Sequence, residues 1–378
     1  MTAKILYLVH DLYDPAVNKR ILMLKSGGAE VTVAGFRRMA QEINNLAECN
    51  TVNFGQTYNA GFTQRFLSVI REIILIKKYK KIFSDNEIII ARNLEMLAIS
   101  VRGRNMCKNR PVLVYESLDI HRLLLKKNII GKLLRKLEGW LTKDASLLIT
   151  SSPAFISEYF EALSQVKLPI KLIENKVFPY DEKNKAVIHP ANIPPPPWKI
   201  GWFGAIRCRK SLDVLSDLVR LSQGNVEVII RGRPSLDQFD DFYKTTSSVA
   251  GVKFLGEYKN PNDLAEIYSE VHFTWAIDMF EENLNSSWLL PNRLYEGCLH
   301  GSVPIAIEHV ETGRFINMLG IGVCIKEARS ENLFIFFNTL TEERYCDMRK
   351  NLVEVSWHRW IHDLRSCEDL VTYLRTLK

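Results

Sequence analysis

The sequence lacks any hydrophobic run long enough to cross a membrane. A transmembrane helix needs about 18 or more consecutive apolar residues, and the two most apolar stretches, REIILIKKYKK and NEIIIARN, are both interrupted by charges. The apolar start of the chain lasts only about five residues before His10 and Asp11, which is too short for a signal peptide. We therefore expect a cytoplasmic protein without a spanning helix.

Cysteine is also scarce. The 7 cysteines among 378 residues are widely scattered, odd in number, and form no Cys-x-x-Cys pair. This distribution argues against a disulfide framework and against a structural zinc site, and it fits a reducing compartment.

The length and the amino-acid composition of the chain indicate two folded domains. A length of 378 residues favours two domains of about 150 to 200 residues each. Hydrophobic residues make up 47% of the chain and charged residues 25%. These fractions exclude a largely disordered protein, since they supply enough apolar surface for two cores.

Positive charge is concentrated in the first half. Residues 1–190 hold 29 Lys+Arg and 18 Asp+Glu, or +11, whereas residues 191–378 hold 21 and 25, or −4. Residues 65–136 alone carry +11, from 17 basic and 6 acidic side chains. Such a patch suggests an anionic partner, although solvated helix faces would give the same count. A nucleic-acid partner is disfavoured, because no recognised module and no interleaved stacking aromatics accompany the basic residues.

Strand-like and helix-like segments alternate along both halves, which predicts an α/β fold with parallel sheets. The first predicted elements are a strand at Lys4–His10, a helix at Pro15–Ser26, a strand at Glu30–Phe36 and a helix near Thr63–Lys78. The run Pro194–Pro197 interrupts this alternation, since consecutive prolines join neither a helix nor a sheet ladder. We predict a first domain at 1–188, a Pro-rich linker at 189–198, a second domain at 199–356 and a C-terminal crossover segment at 357–378.

Glycine and basic residues follow the first strand of the second half. In GWFGAIRCRKSLDVL, Gly201 and Gly204 let the backbone approach a ligand, and Arg207 and Lys210 come just before a helix whose amide groups attract anions. A second basic turn contains Arg231 after the next strand. Either turn could be merely solvated, but the two together favour a phosphate site.

A third motif is LLPNRLYEGCLHGSVPIAI at 289–307. Glu296 lies in the first turns of a predicted helix, where its carboxylate could bind two vicinal hydroxyls while the amides of Asn292 and Arg293 meet phosphate. The simpler interpretation is a surface carboxylate paired with Arg293 at i, i+3.

Together these motifs, with D..DP, GGAEVTV and ITSSPAF in the first half, resemble those of nucleotide-sugar glycosyltransferases of the GT-B fold, in particular retaining family 4 and its bacterial exopolysaccharide members. The resemblance covers most of the chain. It implies two Rossmann-like parallel-sheet domains facing a central cleft, the first for the acceptor and the second for the donor. It also implies that the last helix crosses back to the first domain, so that Trp357 and Trp360 form a core stripe.

The resemblance implies that Arg207 and Lys210 neutralise the donor diphosphate and that Glu296 binds the ribose. Trp288 replaces the first glutamate of the family's E-x7-E motif, so Asn285 or Ser286 would have to contact the donor sugar. The full donor-binding set that it implies comprises Gly204, Arg207, Lys210, Arg231, Asn292, Arg293, Leu294 and Glu296.

The base that deprotonates the acceptor is expected in YESLDIH. Asp119 matches the family's aspartate, but Leu118 occupies the position of its histidine and His121 lies out of register. Asp119 and His121 are the candidate bases. Asp119 matches the family's aspartate, and His121 is considered because a histidine titrates near neutrality. Alternatively, His121 only caps the helix that follows it.

The expected activity is transfer of a hexose, glucose from UDP-glucose, to a lipid-linked saccharide without a metal or other cofactor, since the chain has no Asp-x-Asp motif. The alternatives are a nucleotide-sugar 2-epimerase or a non-catalytic sugar-nucleotide-binding protein. The helices around 71–81 and 126–136 mix Leu and Ile with Lys and Arg, as interfacial helices do. They predict peripheral association of the first domain with the anionic inner membrane leaflet.

Overall fold

The computed structural model describes residues 2–38, 46–57, 62–179 and 195–377, with the backbone alone at 62–66. The chain divides into two compact units. Unit 1 comprises Met1–Glu174 with His362–Lys378, and unit 2 comprises Asn175–Ile361.

Unit 1 is built on a seven-stranded parallel sheet of order β3-β2-β1-β4-β5-β6-β7. Its central strand β1 is almost entirely apolar and buried, as expected for a parallel strand covered on both faces. The strands are β1 (Ala3–Val9), β2 (Ala29–Arg37), β3 (Asn50–Gln56), β4 (Ile88–Arg92), β5 (Val112–Ser117), β6 (Leu147–Thr150) and β7 (Ile170–Leu172).

The first helix of unit 1, α1 (Pro15–Ser26), begins at a cap that the sequence supplies. Asp14 caps α1 by accepting from the Ala16 amide at 2.9 Å, and Pro15 fits the first turn because it needs no N–H there. The helices are α1 (Pro15–Ser26), α2 (Phe62–Leu75), α3 (Lys80–Ser84), α4 (Asn93–Arg104), α5 (Arg122–Leu125), α6 (Ile129–Leu141) and α7 (Pro153–Phe155), which continues as a π-helix over Ile156–Glu161.

Unit 2 has a six-stranded parallel sheet of order β10-β9-β8-β11-β12-β13. The strands are β8 (Trp198–Ile206), β9 (Val226–Pro234), β10 (Val252–Phe254), β11 (Phe273–Trp275), β12 (Val303–Ile307) and β13 (Val323–Ile325). Strand order reverses between β8 and β11, and ligands of such sheets bind beyond the carboxyl ends of the strands at this switch point.

The helices of unit 2 cover its sheet with apolar side chains. They are α8 (Arg209–Leu221), α9 (Phe242–Ser248), α10 (Leu264–Ser269), α11 (Asn292–Leu299), α12 (Glu311–Leu319), α13 (Ser330–Asn338) and α14 (Glu342–Glu354). Trp360 is 2% exposed and closes this core against Tyr295 and Phe315, so the predicted packing role of Trp360 is confirmed. Trp357 is partly buried at the same core.

The last helix, α15 (Leu364–Arg375), belongs to unit 1. It packs on α1 so closely that a Cβ at Gly27 would lie 2.3 Å from the carbonyl oxygen of Cys367. The predicted return of the C-terminal helix to the first domain is therefore confirmed.

The unit boundaries differ from the sequence prediction. Unit 1 ends at Glu174 rather than at residue 188, and the segment 357–361 stays with unit 2. Most of the predicted linker lies outside the described residues, and its last residue, Trp198, already begins strand β8. Among the helices of the described ranges, none is both long and apolar enough to cross a membrane.

Candidate functional site

Two glycines bring β8 and β9 together next to the switch point of unit 2. Gly204 has a φ of +110°, a backbone conformation that favours glycine. Its partner across the ladder is Gly232, where a Cβ would lie only 1.9 Å from the Gly204 carbonyl oxygen. Gly201 plays a different part from the ligand approach we expected, because its missing Cβ makes room for the ring of Phe203.

Arg207 follows β8 and faces a carboxylate that the sequence analysis missed. Its Nη2 lies 3.6 Å from Oδ2 of Asp278, and its guanidinium lies 4.7 Å from the ring centre of Phe280. Arg293 approaches the same carboxylate at 3.8 Å and also donates to the Ile277 carbonyl at 2.7 Å. Asp278 therefore positions both arginines at the carboxyl edge of the sheet.

The two arginines keep Asp278 ionised. Burial on its own would raise the pKa of this carboxyl, but Arg293 and Arg207 outweigh that effect, so the pKa is lowered from its usual value. Oδ1 also accepts from the Ser286 hydroxyl at 2.6 Å and from the Phe280 amide at 3.0 Å. A sequence signal was present, because Asp278 is the first charged residue after strand β11.

Lys210 lies in the first turn of α8 rather than just before the helix, and an acidic side chain pairs with it. Its Nζ is 2.7 Å from both carboxylate oxygens of Glu282. Both side chains are about half exposed, at 51% and 45%, so water screens this ion pair. Binding of a diphosphate to Lys210 would have to displace Glu282.

Glu296 is buried, which overturns the simpler interpretation of a surface carboxylate paired with Arg293. The residue is 6% exposed, and its Oε1 accepts from the Asn260 amide at 2.7 Å. Its Oε2 accepts from the Tyr268 hydroxyl at 3.3 Å. These contacts fix the orientation of the carboxylate, as binding of a sugar hydroxyl requires.

The predicted N-terminal site of α11 is formed in part. Asn292 is exposed at the first helical position, where the helix dipole and the first amides favour an anion. Leu294 is fully buried in the core, and its amide donates to the Pro291 carbonyl at 3.0 Å. The structure thus gives Leu294 a packing role.

Arg231 joins a different ion pair. Its Nη2 lies 3.1 Å from Glu270, and its side chain is 19% exposed. The predicted second basic turn is wrong, because Arg231 lies inside strand β9. Arg231 therefore pairs with Glu270 and not with Asp278, the carboxylate that receives Arg207.

The loop that carries Trp288 in place of the motif's first glutamate is held in place by its own hydrogen bonds. Ser286 accepts from the Glu281 amide at 2.9 Å and donates to Asp278. Asn285 is buried at 3% exposure, and Trp288 is partly buried. Ser286 therefore acts on Asp278, and its expected contact with the donor sugar stays a prediction.

In unit 1, the candidate base His121 caps a helix. Its Nδ1 accepts from the Leu123 amide at 3.3 Å at the start of α5. The alternative capping role is thus confirmed. His121 and Asp119 are both exposed, and both line one pocket.

This pocket, which we call the α4 pocket, has a volume of about 280 Å³. Val69 of α2 and Leu134, Leu137 and Leu141 of α6 form apolar walls on either side of α4. Polar groups at the carboxyl ends of β1, β4 and β5 complete its lining. An amphiphilic ligand would suit this arrangement.

A buried ionic cluster stabilises the strand ends beside the α4 pocket. Glu116 is fully buried on β5 and accepts from Tyr7 and from Nε of Arg20, the latter at 2.8 Å. Arg92 donates to the Tyr7 hydroxyl at 3.1 Å and pairs with Asp14 at 3.3 Å. Burial raises the pKa of Tyr7, so this hydroxyl stays protonated.

A second buried carboxyl, that of Glu138, lies on the buried face of α6. Glu138 accepts from Tyr115 at 2.9 Å and from Tyr159 at 2.6 Å. Burial raises its pKa to about 7, although both tyrosine hydrogen bonds oppose the shift. Glu138 therefore titrates near neutral pH.

No group of three or more His, Cys, Asp or Glu side chains that could hold a metal ion occurs among the residues whose positions are described. Arg207, Lys210 and Arg293 supply cationic groups near the switch point.

Comparison with known proteins identifies the family. The succinoglycan biosynthesis protein ExoL of Rhizobium meliloti (strain 1021) is 47% identical over 377 residues, which cover 99% of this chain and 94% of ExoL. The chain belongs to the ExoL family. No protein-family model matches the chain.

Solved structures share the fold of this ExoL relative. HepE from Anabaena, solved in complex with UDP and glucose, is 17% identical with a TM-score of 0.70, and the match covers 99% of both chains. Sucrose-phosphate synthase from Thermosynechococcus elongatus is 13% identical with a TM-score of 0.71 over 99% of both chains. These matches, together with the two parallel-sheet units, confirm the GT-B fold. The similarity to ExoL confirms the predicted resemblance to exopolysaccharide-type glycosyltransferases.

Proposed function

We propose that this ExoL relative is a glycosyltransferase of exopolysaccharide biosynthesis that moves glucose from UDP-glucose to a lipid-linked saccharide. The observation that carries the proposal is the convergence of Arg207, Lys210, the α11 N-terminus and buried Glu296 on the carboxyl side of one sheet. The choice of donor is supported by HepE, which was solved in complex with UDP-glucose.

These groups suit the two ends of a nucleoside diphosphate. Glu296, held by Asn260 and Tyr268, would accept hydrogen bonds from the ribose hydroxyls. Arg207, Lys210 and the first amides of α11 would bind the diphosphate.

The transfer breaks the bond between the sugar C1 and the diphosphate oxygen and forms a bond from C1 to the acceptor oxygen. The electron pair of the broken bond leaves with UDP. Arg207 and Lys210 neutralise the negative charge that develops on the diphosphate. One well-placed donor to such a developing charge contributes about 2.7 to 4 kcal/mol. We propose that these cations replace a metal, so EDTA should leave the rate unchanged.

The acceptor hydroxyl loses a proton in this step. Asp119 and His121 both line the α4 pocket and remain the proposed bases. The capping bond of His121 uses Nδ1, so Nε2 is the nitrogen that would receive the proton.

We also propose that unit 1 docks on an anionic membrane leaflet. Large apolar side chains of α2 and α6 are exposed, including Ile74 at 70%, Ile129 at 73% and Trp140 at 60%. Exposed lysines accompany them on α6, at 132 and 136. Apolar area together with positive charge is the combination that binds anionic lipid surfaces.

Donor binding is the first test. Thermal shifts are measured with UDP-, GDP-, TDP- and ADP-sugars, because a ligand at about 100 times its Kd stabilises the folded state by about 2.7 kcal/mol. We expect UDP-glucose to give the largest shift. An equal response to all four nucleotides would refute UDP specificity.

Transfer is tested with radiolabelled UDP-glucose and a lipid-linked saccharide extract. Lys210→Ala should lose most turnover, whereas Arg209→Ala, which removes a neighbouring cation paired with Asp240, serves as the control. Incubation of the donor alone distinguishes an epimerase, which needs no acceptor. Donor binding without transfer to any acceptor would favour a non-catalytic protein.

Membrane docking is tested separately by sedimentation with anionic and neutral liposomes at low salt. We expect binding to anionic vesicles that weakens as salt is added. Equal binding to both vesicle types would rule out the electrostatic part of the proposal.

A further inference from the structure

The α4 pocket opens to the surface through apolar side chains. Leu137 lines the pocket and is also 42% exposed. Leu133, one turn earlier on the same face of α6, is 59% exposed. A hydrocarbon chain could therefore pass from the surface into the pocket while it stays in apolar contact.

The other end of the pocket is polar. Ser117 and Asp119 follow β5, and Asn93 and Glu95 begin α4 directly after β4. Carboxylates and amides accept hydrogen bonds from hydroxyl groups, and Arg38, which also lines the pocket, donates them. The rim therefore suits the hydroxyl groups of a sugar.

We propose that the α4 pocket binds the hydrocarbon segment of the acceptor, with sugar hydroxyls of the same molecule at the polar rim. This inference rests on the proposed function, because the occupant is the lipid-linked saccharide. The volume of about 280 Å³ is nearly twice the roughly 150 Å³ of a cavity that binds benzene. The pocket thus accommodates a segment of about ten carbon atoms.

The probes are glucose and a series of n-alkyl β-D-glucosides from butyl to dodecyl, kept below their critical micelle concentrations. Binding is measured by isothermal titration calorimetry with the full chain. Affinity should rise about fourfold per added methylene, which corresponds to about 0.8 kcal/mol of buried CH₂. It should stop rising once the chain fills the pocket.

Ala98 lies on α4 in the pocket lining, so Ala98→Phe should fill the space. We expect this variant to lose the dependence on chain length while it binds UDP-glucose with unchanged affinity. Ala162→Phe makes the same change at an exposed position of unit 1 outside the lining and is the matched control. If Ala98→Phe does not fold, the smaller Ala98→Leu should shorten the chain length at which affinity stops rising.

Two outcomes would overturn the inference. One is an alkyl series that binds no better than glucose, and the other is a chain-length dependence that survives in Ala98→Phe. Neither measurement needs turnover, so failure of the proposed transfer reaction would be seen separately, as donor binding without product. Chain-length-dependent binding lost in Ala98→Phe would support the pocket whatever the transfer assay gives.

Discussion

Arg207 and Asp278 lie within 3.6 Å of each other, although 71 positions separate them in the sequence, from 207 to 278. The contact joins the loop after β8 to the loop after β11, which are the two strands at the switch point of the sheet. Asp278 also receives Arg293 from α11. One carboxylate thus fixes three segments around the proposed diphosphate site.

Asp278→Asn should weaken donor binding and lower stability. The neutral amide leaves Arg207 and Arg293 without their shared counter-charge, and loss of a hydrogen bond to a charged group costs about 1.5 to 3 kcal/mol. The pKa of Asp278 is lowered in the folded state, so its stabilisation is present above about pH 4 and is lost as the pH falls through the folded pKa. Urea unfolding from pH 7 to pH 3 should show the stability difference shrinking at low pH.

The control is Asp217→Asn, an exposed carboxylate on α8 paired with Arg220. It should behave like the wild type throughout. A pH-independent difference between Asp278→Asn and the wild type would contradict the ionised pair with the arginines.

Glu282→Gln should tighten donor binding. The substitution removes the charge that holds Lys210, so the lysine no longer has to leave an ion pair before it binds a diphosphate. Because both side chains are about half exposed, the gain should not exceed about fivefold, which corresponds to about 1 kcal/mol. Calorimetry with UDP-glucose at low salt measures it, and Glu257→Gln, which disrupts the exposed pair with Arg233, is the control. A weaker affinity in Glu282→Gln would show that Glu282 assists binding.

The sequence predicted the parts of the fold that have a strong hydrophobic signal. Strand β1 and helix α1 were recognised because the strand is almost entirely apolar and Pro15 marks the helix start. Strand β3, NTVNFGQ, was missed because it is a polar edge strand in which only Phe54 is buried. Edge strands need no continuous apolar face, so their periodicity is weak.

The candidate site was predicted less completely than the fold. Arg207, Lys210 and Glu296 were found because a motif marks them, but their partners Asp278, Glu282 and Asn260 are 36 to 72 positions away in the chain. Only the three-dimensional arrangement shows that Lys210 is paired and that Glu296 is buried.

Glu296→Gln should reduce donor affinity by about tenfold or more. One oxygen that accepts from Asn260 or Tyr268 becomes an NH₂ group facing a donor, so the side chain loses both charge and orientation. Glu311→Gln is the matched control, since Glu311 is also buried in unit 2 at the start of a helix. Equal affinities for UDP in wild type and Glu296→Gln, with both variants folded by circular dichroism, would exclude the ribose contact.

His121→Asn separates capping from catalysis. Asparagine is a good N-cap, so the variant keeps the cap of α5 but cannot act as a base near neutral pH. If His121 is the base, turnover should fall steeply, and the residual rate should no longer show the acidic limb of the pH–rate profile, at an unchanged melting temperature. If turnover persists in His121→Asn, the base is Asp119, and Asp119→Asn should then abolish turnover.

Glu138→Gln should change how stability depends on pH. The folded pKa of about 7 lies above the usual 4.5, so the folded state holds a proton that the unfolded state releases, and the contribution of Glu138 is greatest below about pH 4.5. That contribution falls as the pH rises to about 7, by a free energy on the order of 3 kcal/mol. The glutamine cannot titrate, so the stability of Glu138→Gln relative to the wild type should rise over this interval, as measured by urea unfolding.

Glu158→Gln, an exposed change in unit 1, should show no such trend. A constant difference between Glu138→Gln and the wild type from pH 4.5 to 7.5 would mean that Glu138 is already ionised between its two tyrosines.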